Sequence, residues 1–130
     1  HAHADFLLVA SSNPGYQAAY KALKPSTRQR FVEIVFGHPP AELEARIVAH
    51  ESGVAPEQAA RLAQVAERLR ALDAEQASDG VGTRALVHAG QLMRRGIAPQ
   101  RACAGVLRGA LGDEPELLAA ARDLVDLAFP

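Results

Sequence analysis

Hydrophobic positions are arranged in two ways along this chain of 130 residues, and the change comes near residue 40. Before it, they form short continuous runs. Phe6-Leu7-Leu8-Val9-Ala10 stops at the turn formers Ser11-Ser12-Asn13-Pro14-Gly15, and Phe31-Val32-Glu33-Ile34-Val35-Phe36 stops at Gly37-His38-Pro39-Pro40. Continuous apolar runs of this length, closed by Gly and Pro, predict strands of a parallel sheet buried on both faces. The second run is also rich in β-branched and aromatic residues, which favour strands. The stretch between them, with a short helix around Ser26 to Arg30, is long enough for the crossover that parallel strands require.

From Pro40 onward the apolar positions recur every three or four residues, which predicts helices. Leu43, Ile47 and Val48 share a face in a first helix that Ser52-Gly53 ends. A second follows Pro56, with Ala59, Leu62, Ala63, Ala66, Leu69 and Leu72 inward, and breaks in the soft stretch from Gln76 to Gly82. A third runs from Thr83 through Leu86, Val87, Ala89, Gly90 and Met93 to a terminating Gly96. Pro99 opens a fourth with Cys103, Val106 and Leu107 inward, and Asp113-Glu114-Pro115 starts a fifth carrying Leu117, Leu118, Ala121, Leu124 and Val125. The expected fold class is α/β followed by all-α: the end of a parallel-sheet core over residues 1–38 and a helical bundle over 39–130.

Composition narrows the function more by exclusion than by assignment. Fourteen basic residues against fifteen acidic ones leave a formal charge of −1, which supplies no global attraction to nucleic acid or an anionic membrane. Arginines 61, 68, 70, 94, 95, 101 and 108 interleave with helical apolar positions and, without aromatic platforms, read as a solvated face. The single cysteine, Cys103, cannot form an internal disulfide, and its apolar helical setting predicts a buried thiol in a reducing, cytoplasmic protein. No run approaches the roughly 20 apolar residues of a spanning helix, and the start lacks a signal-peptide plan. The missing initiator methionine and the strand pattern so near residue 1 predict a piece of a longer chain.

Four residues are candidates for chemistry. Asn13 follows the carboxyl end of the first predicted strand, where α/β sheets place ligand sites, although Ser11 to Gly15 also reads as turn chemistry alone. Arg28 and Arg30 precede the second strand and read either as an anion clamp or as surface charges. Arg84 falls in the first turn of the third helix if Thr83 is its N-cap, where a guanidinium and free backbone amides together suit a phosphate; extension into solvent is the alternative. The five histidines bring no ligand cluster, so no metal is expected. No catalytic triad and no Gly-rich loop ending in Lys-Ser/Thr can be read.

The segments from Asp5 to Gln17 and from Lys21 to Val32 resemble the MoxR-like AAA+ ATPases of the CbbQ/NorQ/NirQ group. The similarity continues through Glu44, Ile47, Val48 and Glu51-Ser52 and through Gly82 to Gly90, and fades after Pro99. The resemblance implies that Asn13 serves as sensor 1, positioning the attacking water, and that Arg30, with Arg28 as second candidate, is an arginine finger for the neighbouring subunit. Arg84 would be sensor 2 of a helical lid. It further implies ATP and Mg2+ as ligands, a hexameric ring, a partner bearing a von Willebrand factor A domain, and a metabolic enzyme such as rubisco or nitric oxide reductase as client. The family's phosphate-binding loop and magnesium-binding strand are not in this sequence, so the segment alone is not expected to bind or hydrolyse ATP. A nucleotide-independent helical interaction module is the competing expectation.

Overall fold

The computed structural model describes residues 3–11, 24–72 and 80–130. The chain divides into two units, His1–Val35 and Phe36–Pro130.

In the first unit the regular element is α1, Pro25–Arg28, opened by a proline whose missing N–H costs nothing in a first turn. The Lys24 carbonyl accepts from the Thr27 and Arg28 amides at 2.8 and 3.2 Å, and Arg30 and Phe31 close the turn onto Thr27 and Arg28. The two apolar runs do not form strands. Among the described residues there is no strand, so the expected α/β portion over residues 1–38 is corrected: the described residues form no sheet core. The reason is physical. Strand propensity expresses a fit to a pleated, covered surface, and a strand exists only through ladder hydrogen bonds to a neighbour. Neither run has such a neighbour among the described residues, and Val9 and Val32 stand 80% and 92% exposed.

The second unit holds the five expected helices: α2 Ala41–Ser52, α3 Pro56–Leu72, α4 Thr83–Arg94, α5 Pro99–Leu111 and α6 Pro115–Ala128. Each of α3, α5 and α6 begins at a proline. At the other end of α4, Gly96 takes φ +87, its N–H reaching the Met93 carbonyl while that of Ile97 reaches Leu92. This paired closure needs a left-handed residue and is the reason a glycine stands there.

Helix α2 packs on α3 and α4, α5 links α4 to α6, and α6 returns onto α3. The core between them is aliphatic and alanine-rich. Val48, Leu62, Leu69, Leu86 and Cys103 are fully buried, with Ala59, Ala66, Ala89 and Ala102 letting neighbouring helices approach closely. Leu72, expected inward, is 58% exposed at the last position of α3. Phe129 is buried beyond α6 and held from two helices: Arg61 lies over its ring at 5.8 Å and donates to the Ala128 carbonyl, while Gln100 donates to the Phe129 carbonyl at 2.7 Å. Where α2 meets α4 there is no room for a side chain at Gly90. A Cβ at that position would lie 2.5 Å from Ser52 Oγ and 2.8 Å from Ser52 Cβ. No helix among the described residues is long and apolar enough to cross a membrane.

Candidate functional site

Arg84 is the second residue of α4 and is exposed. The residue before it behaves differently from expectation. Gly82, extended at φ −77 and ψ 156, occupies the cap position, and Thr83 is already helical. The Thr83 hydroxyl does not cap α4; it donates to Glu44 Oε1 at 2.6 Å. No side chain caps α4; the Ala85 amide donates to the Gly82 carbonyl at 3.0 Å, and the positive end of the helix lies beside a guanidinium.

Glu44 is the centre of the most buried polar cluster in the described structure. Its side chain is 0% exposed, on α2, and both carboxylate oxygens are occupied. Arg70 of α3 engages it end-on, Nη1 to Oε2 and Nη2 to Oε1, each at 2.8 Å. Arg70 Nε also donates to the Val81 carbonyl at 2.7 Å, and Nη2 reaches the same oxygen. Burial alone would raise the Glu44 carboxyl. Hydrogen bonds from Arg70 and Thr83, with the charges of Arg70 and His38, outweigh that effect and hold it below its ordinary value of 4.5. It is therefore ionised in the folded chain at neutral pH.

Arg70 is the residue that the sequence misassigned. It was expected on a solvated face and is instead largely buried, 15% exposed. The available signal was Glu44 itself, which stands four residues before Val48 on the inward stripe of α2. A carboxylate in that register demands a buried cation.

Asn13 is outside the described residues. Arg28 and Arg30 belong to the first unit, Arg28 closing α1 and Arg30 just beyond it, both exposed. Among the described residues no group of His, Cys, Asp and Glu is arranged to hold a metal ion. Cys103 is buried as expected, and burial pushes its thiol up to about 11. A thiol so placed is protonated and inert at neutral pH. It is expected to resist iodoacetamide in the folded chain and to react fully once the chain is unfolded in guanidinium; fast alkylation under native conditions would contradict this placement.

The buried clamp and the loop it grips fall within residues 44–128, and that span matches the family described as CbbQ/NirQ/NorQ C-terminal. The chain belongs to the CbbQ/NirQ/NorQ family. It is 47% identical over 128 residues to Protein CbbQ of Hydrogenophilus thermoluteolus, an alignment that covers 98% of this chain and 48% of that protein. Against the denitrification regulatory protein NirQ of Pseudomonas aeruginosa the identity is 47% over 122 residues, covering 94% and 47%. Protein NorQ of Paracoccus denitrificans is 43% identical over 124 residues, covering 95% and 46%. The chain spans about half the length of these relatives, and it corresponds to the C-terminal portion of the CbbQ/NirQ/NorQ group, the matched span running from Glu44 in α2 to the end of α6.

Proposed function

We propose that this chain is the nucleotide-sensing and lid portion of a AAA+ ATPase that remodels or activates a metabolic enzyme. The observation that carries the reading is the placement of Arg84: an exposed guanidinium in the first turn of α4, at the positive helix end, directly after a loop tied down at Val81 and Thr83. A cation there works against the helix dipole by about 0.3–1 kcal/mol. An anionic ligand reverses that penalty, because the first-turn amides and the guanidinium then face the same charge. Phosphate oxygens of ATP fit such an arrangement, with Arg84 as sensor 2.

In the same reading residues 1–38 belong to the end of an α/β core, which the two exposed apolar runs would complete when paired with strands outside this chain. Residues 39–130 form the lid. Asn13 positions the attacking water, and Arg30, or else Arg28, is the finger presented to a neighbouring subunit. The phosphate-binding loop and the Mg2+ ligands belong to the part of the relatives that this chain does not match. When bound, Mg2+ would offset the charge gathering on the transferred phosphoryl group. The assembly is a cytoplasmic ring, hexameric by family resemblance, that works with a von Willebrand factor A domain protein on a client such as rubisco or nitric oxide reductase.

The test is Arg84→Ala in the full-length protein. One charge-assisted contact is worth about 1.5 kcal/mol or more, so affinity for a fluorescent ATP analogue is expected to fall roughly tenfold. Unchanged affinity in a folded mutant would exclude the sensor role and favour a helical interaction module that does not use nucleotide.

A further inference from the structure

We propose that Glu44, fixed by Arg70, is a positioning residue for Arg84: it holds the start of α4 through Thr83 so that the arginine is presented in one place. The inference rests on the reading of Arg84 as a phosphate contact and adds to it the part of the fold that aims it.

The loop ahead of Arg84 is gripped on both sides of Gly82. On one side the Val81 carbonyl accepts two donors from Arg70, and the Val81 side chain is fully buried. On the other, the Thr83 hydroxyl reaches Glu44 at 2.6 Å. The two grips share one ion pair, because Arg70 itself is held end-on by both oxygens of Glu44. Arg84 is the next residue after the second grip. Three helices thereby meet at a single carboxylate: α2 supplies Glu44, α3 supplies Arg70, and α4 supplies Thr83.

Stability alone does not call for this arrangement. A buried pair is often no better than apolar residues of equal volume, whereas it fixes one geometry by satisfying directional bonds. The Thr83 hydroxyl is also the one group of the cluster that could have capped α4 in the ordinary way, had it preceded the helix by one position. Placed one residue inside the helix, it instead gives a fixed tie to α2 immediately beside Arg84, and Gly82 leaves α4 without a side-chain cap. Anchoring the residue adjacent to a long, exposed arginine lowers the number of backbone positions from which that arginine starts, and so reduces the ordering required on ligand binding.

The experiment uses the full-length protein and the variants Thr83→Val, Thr83→Ser and Arg84→Ala, with a fluorescent ATP analogue as probe. Thr83→Val removes the hydroxyl and leaves the Glu44–Arg70 pair in place, so the fold should survive; circular dichroism and the thermal midpoint check this. Thr83→Val is expected to weaken analogue binding several-fold, by no more than Arg84→Ala does, and Thr83→Ser to restore it. In an Arg84→Ala background, Thr83→Val is expected to have no further effect, since the hydroxyl acts through the arginine. A full additive loss in that background, or an unchanged affinity in Thr83→Val while Arg84→Ala weakens binding, would overturn the positioning role and leave the sensor reading standing. A silent Arg84→Ala would overturn both.

Discussion

Arg30→Ala in the full-length protein is expected to leave ATP binding nearly intact and to lower turnover by about 10³–10⁵, the range that arginines acting in trans supply in phosphoryl transfer. The grounds are its exposed position just beyond α1, at the entrance to the Phe31 to Phe36 run, and the family resemblance of the surrounding segment. An arginine that stabilises charge only in the transition state changes the rate and not the ground-state affinity. Mixing gives the decisive measurement. A subunit carrying Arg30→Ala should regain activity when combined with one that lacks the phosphate-binding lysine but keeps Arg30, since each supplies what the other lacks. Loss of nucleotide binding within the mutant subunit itself, or no recovery in rings shown to be mixed, would exclude the role in trans and pass it to Arg28.

Glu44→Ala is expected to produce the largest loss of stability of any single substitution considered. Removing one member of a buried pair leaves the other charge uncompensated, at a cost of about 3–5 kcal/mol. That is a large share of the roughly 5–15 kcal/mol by which domains are stable. Here the orphan would be the Arg70 guanidinium, 15% exposed. Urea denaturation of the chain measures it, and the double replacement Glu44→Leu with Arg70→Met is expected to cost less than Glu44→Ala alone, because no charge is then left buried. The pH dependence has a definite sign. The carboxyl is held below 4.5 in the folded chain, so its contribution is fully present above that value and is lost as pH falls through the lower folded value. Glu44→Gln should remove this acid sensitivity; an unchanged acid limb in that variant would assign the sensitivity to other groups.

The helical part of this fold was legible because its punctuation is local. Prolines at 56, 99 and 115 and glycines at 53, 96 and 112 bracket runs whose inward positions follow a single period, and α2 to α6 follow that punctuation. The stretch before residue 39 departs from its predicted strands for the converse reason. Phe6 to Ala10 and Phe31 to Phe36 carry the composition of covered strands, but a strand is completed by a neighbour, and composition does not say which chain provides it. Arg84 was legible as a first-turn residue. Its supports were not, because Thr83 sits one position inside the helix and not at its cap, and because Arg70 is indistinguishable by spacing from the exposed arginines around it. Only the tertiary meeting of three helices turns those two residues toward one carboxylate.

The absence of a side chain at Gly90 has a mechanical consequence. Positions one turn away on that face of α4 are Leu86 and Val87 in one direction and Met93 and Arg94 in the other, all larger than glycine. A slip of α4 along α2 by a turn, about 5.4 Å, would drive one of them into Ser52. The seam therefore acts as a detent that blocks shear between the two helices.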